Sequence, residues 1–328
     1  MNHNSCKIVD YTSEYRESLK LYLKNTFPDY SEAYLDYCLD LSDEACPSMV
    51  VLNEKDEIVG CHLYFPTRMI LNGKICETEW GHDTFLNQEY RAKMGLDLVF
   101  KINSKKGLGI GLSETQKEIS KKFKHVFFDG VFNYYFVNRK CIHSLIQLLF
   151  RIKPTLVLPN IIEVDGLRFS RISNVKDMSI PDNGYWYRDN LNIDFVRDEN
   201  FINTRFLRNK VNEYALYALS GGKKMMYFVV RPIICHNIPA ITLSDFRYDI
   251  EHPKSIDIIF KAINKIAALS NLGLISFVAG DKNVNYYFKK KLHYKKRLDF
   301  ISMMKIPKDS SFSVTGADSD SDFLKQKL

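Results

Sequence analysis

Residues 83–96 read DTFLNQEYRAKMGL. A strand-like run, Thr84-Phe85-Leu86, breaks into a polar turn. Tyr90, Arg91, Lys93 and Gly95 follow, and the chain re-enters an apolar helical pattern through Leu96, Val99, Phe100 and Ile102. A helix that begins here exposes backbone N–H groups without intrahelical partners, at the positive end of its dipole. With Arg91 and Lys93 beside it, such an end suits an anion such as pyrophosphate. The same letters also describe an ordinary strand-to-helix connection with a basic start, so the neighbouring elements have to decide.

Upstream, residues 13–27 place Tyr15, Leu19, Tyr22 and Leu23 on one helical face, and residues 31–41 read as a second helix. SMVVLNEKDEIVGCHLYF (48–65) reads as a hairpin with a charged turn at Glu54–Glu57, and the turn Asn72-Gly73-Lys74 leads into ICETEWGHDTFL (75–86). Downstream come a helix (95–105), a short buried strand GLGIGLS (107–113), an amphipathic helix (114–124) and a strand (125–132). Residues 133–180, with Pro154 and Pro159, read as an irregular connector. From 185 onward, strands at 213–219, 225–234 and 238–249 precede a strongly amphipathic helix (252–273), opened by Pro253 and closed by Gly273. A buried strand (274–280), a helix (284–292) and a strand (294–306) complete the chain. The element order of the first half thus returns in the second, which points to a structural duplication. The expected division is 1–150, a connector 151–184, and 185–328.

The totals fit this picture. A length of 328 residues accommodates two domains, and 45% apolar with 26% charged residues is the balance of a soluble globular chain. The formal charge of +7 favours anionic ligands without selecting one. The 7 cysteines contain no C-x-x-C pair, which argues against a zinc ribbon or thioredoxin site and for a reduced compartment. The N-terminal MNHNSCKIVDY has no apolar h-region, and SLIQLLFRI (144–152) is too short to cross a bilayer, so a cytoplasmic protein without a transmembrane segment is expected. No Walker motif is present.

Residues 49–132 resemble the GNAT N-acyltransferases. IVGCHLYF is similar to the second and third strands of that fold, DTFLNQEYRAKMGL to its acyl-CoA pyrophosphate turn, and GLGIGLS to its fifth strand. The whole chain resembles tandem-GNAT proteins of bacterial surface-polysaccharide loci, through NFINTRF followed by YALY, IPAITLSDFR and the tail TGADSDSDF. The resemblance implies an α/β (α+β) fold of two GNAT-like domains with mixed central sheets flanked by helices. It implies an acyl-CoA co-substrate, no metal, and an amine acceptor such as a nucleotide- or lipid-linked amino sugar. The Fem-type transferases share a two-lobed architecture, which leaves an aminoacyl-tRNA donor as one alternative and an inactive binding module as another. DNA is not an expected partner.

The resemblance assigns the cofactor to Thr84, Phe85, Leu86, Arg91, Ala92, Lys93, Met94, Gly95 and Leu96. The family pattern is R/Q-x-x-G-x-G/A. Arg91 fits it, whereas Met94 and Leu96 stand where glycines belong and Gly95 lies between them. The turn is therefore either shifted by one residue or degraded, and a side chain at Met94 would crowd a phosphate. The corresponding second-half stretch, SDFRYDIEHPKSID, has no glycine and carries Asp249, Glu251 and Asp257, so the second domain is expected to bind no CoA and to help form the acceptor cleft.

N-acyl transfer needs a base for the amine and a proton for the leaving thiolate. In ETEWGHD, strand alternation puts Glu79, Gly81 and Asp83 on one face and Trp80 and His82 on the other. Glu79 and Asp83 are the candidate bases, with His82 as alternative; Ser113 is a candidate contact to acceptor or carbonyl. The resemblance places Ser120 where the family often has a tyrosine acid, and Tyr134 and Tyr135 are substitutes. Asp318, Asp320 and Asp322 alternate like a calcium loop but lack its glycine and distal glutamate.

Overall fold

The computed structural model describes residues 6–41, 47–137, 156–187, 190–219, 225–289, 291, 293–318 and 322. The chain divides into two compact units. The first comprises Met1–Arg68, Cys76–Phe128 and Asp299–Asp309; the second comprises Met69–Ile75, Asp129–Leu298 and Ser310–Leu328. Each is a mixed sheet flanked by helices.

In the first unit, β1 (Lys7–Asp10) precedes α1 (Arg16–Thr26) and α2 (Glu32–Asp40). Then come β2 (Met49–Leu52), β3 (Ile58–Leu71), β4 (Lys74–Leu86), α3 (Arg91–Asn103), β5 (Gly107–Ile110), α4 (Glu114–Lys122) and β6 (Val126–Phe128). The β3–β4 turn is built by Asn72 and Gly73, with φ of 48° and 76°, the left-handed pair that a two-residue hairpin prefers. The sheet order is β1-β2-β3-β4-β5-β16-β6, so a strand from far downstream, β16 (Phe300–Ser302), completes it. β16 pairs antiparallel with both β5 and β6. Helix α3 docks through Met94, Leu98 and Ile102, one residue per turn, against Val51, Val59, Tyr64 and Leu86.

The second unit contains β7 (Phe132–Val137), β8 (Ile161–Val164), β9 (Leu167–Ile172), β10 (Ile193–Phe195), α5 (Glu199–Ile202), β11 (Ala215–Leu219), β12 (Tyr227–Cys235) and β13 (Ile238–Arg247). It continues with α6 (Ser255–Leu269), β14 (Leu274–Ala279), α7 (Lys282–Lys289) and β15 (Tyr294–Arg297). Its sheet order is β15-β7-β14-β13-β12-β11-β9-β8, antiparallel except for the β13–β14 pair. Residues Met69–Leu71 of β3 pair with β10. Helix α6 buries Ile256, Ile259, Phe260, Ile263 and Ile266, the periodicity read in the sequence, each contributing about 1.5–3 kcal/mol.

Three readings differ from the structure. The stretch 133–180 contains β7 and the β8–β9 hairpin, whose Asp165-Gly166 turn was legible and was passed over. The stretch 294–306, expected as one strand, is two, of which β15 joins the second sheet and β16 the first. The long segment of the second unit begins at Asp129, so the expected boundaries at 150 and 184 both fall within it, and residues 299–309 return to the first.

A buried ion cluster holds the end of the second unit. Arg197 donates to Asp245 at 2.8 Å and to Asp318 at 2.5 Å, all three side chains being almost fully buried. Burial works to raise the Asp245 carboxyl, but the Arg197 and Arg247 guanidiniums outweigh it and hold it below its ordinary value. A carboxyl lowered in the fold contributes stability that is full at neutral pH and is lost as pH falls through its folded value. Removing one partner leaves a buried charge uncompensated. Asp318→Ala is therefore expected to cost about 3 kcal/mol or more in urea unfolding at neutral pH; a loss below ~1 kcal/mol would contradict that role.

Candidate active site

The sheet of the first unit opens at one place. β4 and β5 run parallel but share only two residue pairs, Glu79 with Gly107 and Trp80 with Leu108. β4 then continues to Leu86 while β5 stops at Ile110, so the strands part and the β5-facing backbone edge of Gly81–Leu86 has no β5 partner. Gly81 is closely packed there: a Cβ would lie 3.0 Å from the His62 ring on β3, which would have to give by a few tenths of an ångström.

Where the strands begin to part, at Gly81 and Thr84 of β4 and Leu108 and Gly109 of β5, lies a cavity of about 100 Å³. Its walls are mostly apolar: Val99 and Ile102 of α3, Leu112 and Ile119 at α4, Leu108 of β5, and Ile301 and Met303. His62, Asn103, Ser120 and His125 also line it. The His62 Nδ1 lies 2.5 Å from Thr84 Oγ1, while its Nε2 is buried with no hydrogen-bond partner. Asn103 Oδ1 and His125 Nδ1 are likewise buried and unpartnered. Each such atom costs about 1–3 kcal/mol if nothing satisfies it. Burial, reinforced by His82, pushes the His62 imidazole down to about 3 against the opposing pull of Asp83, so it is neutral at physiological pH.

On the opposite face of β4 a second group assembles. His82 Nδ1 lies 3.1 Å from Asp83 Oδ2, and Tyr30 donates its hydroxyl to Asp83 Oδ1 at 2.7 Å. The His82 ring stacks on Phe65 at 4.0 Å, and its Nε2 is buried without a partner. Burial works to raise the Asp83 carboxyl, but the hydrogen bond and charge of His82, with the Tyr30 hydroxyl, lower it below its ordinary value. Asp83 sits at φ 45°, a left-handed conformation rare for a non-glycine residue inside a strand. That bend breaks the expected alternation. Glu79 faces Gly107, 3.6 Å from where a Cβ there would be, whereas Asp83 turns to His82 and Tyr30. The structure thus brings His82 and Asp83 together and separates Glu79 from them. Tyr30 carried no sequence signal, because its contact with Asp83 spans 53 residues.

The turn after β4 is a 3-10 turn, Gln88–Tyr90, running straight into α3. Arg91 is exposed; its Nε donates to the Leu86 carbonyl at 3.0 Å, and its guanidinium lies 5.8 Å from the centre of the Phe85 ring. Lys93 pairs with Glu54, which offsets part of its charge. Met94 does not crowd the turn as the sequence suggested: it points into the core, 6% exposed. Gly95 has open space where a Cβ would stand, and Ala92 and Leu96 are exposed. Ser113 is the N-cap of α4 in a reciprocal capping box with Gln116. Tyr134 lies in the core of the second unit, bonded to Asn285, and Tyr135 lies on the same strand, β7. Asp318 and Asp322 take part in buried ion pairs, and Asp320 is outside the described residues.

No family model matches the chain, and no curated protein matches it. Solved structures do. A probable N-acyltransferase of Enterococcus faecalis V583 aligns over 91% of this chain and 71% of its own, with TM-score 0.61 and 10% identity. A GCN5-related N-acetyltransferase of Anabaena variabilis covers 91% and 73%, at TM-score 0.59 and 9% identity. The N-myristoyltransferase of Saccharomyces cerevisiae, with bound myristoyl-CoA, covers 93% and 84% at TM-score 0.53 and 11% identity. The fold is that of the GNAT-type N-acyltransferases.

Within this fold the two units treat the same wedge differently. In the second, β13 and β14 pair in parallel from Ala240–Leu274 to Leu243–Phe277. Beyond that point the chain's own C-terminal segment fills the gap. Ala279 bridges to Thr315, Gly280 N–H donates to the Val314 carbonyl, and Thr315 Oγ1 donates to Asp245 at 2.6 Å. The β13–α6 loop carries Asp249, Glu251 and His252, whose ligand atoms lie within 4.8 Å of one another.

The buried neutral His62 makes a prediction about acid. A histidine at about 3 in the fold and near 6.5 in the unfolded chain binds fewer protons when folded, so stability falls as pH drops from about 6.5 toward about 3. In His62→Leu that share of the acid loss is expected to vanish. Urea unfolding of both proteins from neutral pH down to about pH 4 checks this, since the gap between them should shift in favour of the variant as pH falls.

Proposed function

We propose that this protein is an acyl-CoA-dependent N-acyltransferase whose donor site is the β4–β5 wedge of the first unit. The observation that carries the reading is the wedge itself, a strand edge left open beside a basic helix start and bordered by a cavity. The residues fit a CoA donor in part. The edge of Thr84–Leu86 can pair with the pantetheine arm, and the first turn of α3 with Arg91 faces the phosphates. Lys93 is shared with Glu54, so Arg91 carries more of the anion binding. The second unit, with its wedge filled by its own chain, offers no equivalent opening among the described residues, and its acidic β13–α6 loop repels phosphate.

A bound acyl-CoA would supply a carbonyl activated by sulfur. His82 is the base. Ionised Asp83 accepts the Nδ1–H, which leaves Nε2 to take a proton. As the amine nitrogen bonds to the carbonyl carbon and the carbon–sulfur bond breaks, Nε2 removes the amine proton. The imidazolium can then return it to the departing thiolate, so protons balance over one turnover. The amine is proposed to be that of an amino sugar on a nucleotide or lipid carrier, a proposal that rests on the sequence resemblance alone.

Two measurements test this. Calorimetric titration with acetyl-CoA is expected to show saturable binding, weakened at least ~10-fold in Arg91→Glu; equal binding by both proteins would overturn the site assignment. Thiol release from acetyl-CoA with a panel of 2-amino sugars should fall about 10²–10⁴-fold in His82→Gln, with acetyl-CoA still bound. A smaller loss would remove His82 from the role of base.

A further inference from the structure

We infer that the acyl group this protein carries is short and bears a hydroxyl, which the cavity bordering the wedge recognises through His62. The inference deepens the acyl-CoA reading above and rests on it.

The direction of the ligand comes from the wedge. The wedge opens toward the basic start of α3 and narrows to the Trp80–Leu108 pair, and the cavity borders it at Gly81, Thr84, Leu108 and Gly109. A donor held by its phosphates at Arg91 therefore presents its far terminus, the acyl chain, to the cavity. The volume of about 100 Å³ limits that chain. At about 10–15 Å³ per water-sized group, roughly seven to ten such groups fit, so the chain is short.

The lining sets the chemistry. An apolar cavity for a plain alkyl chain has no use for polar atoms, yet three buried ones, His62 Nε2, Asn103 Oδ1 and His125 Nδ1, belong to residues that line this one and lack partners. His62 is 4% exposed and its ring is pinned by Thr84, so it cannot turn away to solvent. Asn103 Oδ1 can only accept, since the Asn103 amide nitrogen already donates to the Val99 carbonyl at 2.6 Å. A ligand that satisfies it must donate. The His62 Nε2 is donor or acceptor according to which way the Thr84 contact runs. A hydroxyl both donates and accepts, so it serves either tautomer and the amide oxygen. A carboxylate on the chain could not donate, and the neutral imidazole would not compensate its charge. An ammonium could not accept.

The test compares two donors of equal length, butyryl-CoA and 3-hydroxybutyryl-CoA, with CoA itself as the phosphate-end reference. Calorimetry on the wild-type protein is expected to show 3-hydroxybutyryl-CoA binding at least ~10-fold tighter than butyryl-CoA, because the analogue without the hydroxyl leaves buried atoms unpaired. In His62→Leu the ratio between the two should fall to about one, and Asn103→Leu, at a less buried site, should lower it independently. If CoA binds and the two acyl donors bind equally, the cavity holds only water or a plain chain and this inference is overturned while the acyl-CoA reading stands. If none of the three binds, both fail together.

Discussion

Two residue pairs are all that join β4 to β5, and the opening in the first unit's sheet depends on that shortness. A parallel pair that continued would satisfy its own backbone and leave no edge for a ligand. The parting of the strands exposes one side of β4 and opens the space behind Gly81. It also coincides with the left-handed bend at Asp83, which turns one carboxylate toward His82 and Tyr30 while Thr84 reaches His62 on the other face. One irregular strand thus carries polar groups on both faces.

The second unit shows what happens when the same opening is not left for a ligand. Its wedge is occupied by residues 313–316 of the chain itself, tied down through Thr315, Asp245, Asp318 and Arg197. Such a buried ionic cluster is weak evidence for net stability, because desolvating its charges is expensive. Its geometry is specific, however, and the partners match only when the C-terminal segment lies between β13 and β14. The two halves share an element order and differ in what lies within the wedge.

Some of this was legible early. The β4–α3 turn and the helices α3 and α6 followed from turn residues and periodicity, since each helix buries a face at its own spacing. Other features failed for identifiable reasons. The Asp165-Gly166 hairpin signal was present and was outweighed by the prolines around it. The residues 125–132 and 294–306 each read as one strand, but a strand pattern does not say which sheet it joins. The expectation that Glu79 and Asp83 share a face assumed an unbroken period of two, and a single positive φ defeats that assumption. Met94 looked like an obstruction only because the direction of its side chain on α3 could not be read from the motif.

The sequence by itself determined the local elements and the basic start of α3, because hydrophobic spacing and turn residues act over a few positions. It also limited the second half, where acidic letters stand at the corresponding turn. Only the tertiary structure decided that β16 closes the first sheet, that the C-terminal segment seals the second wedge, and that His62, Asn103 and His125 meet at one cavity. Those pairings join residues tens to hundreds of positions apart, and they arise from strand order and packing, which local letters do not encode.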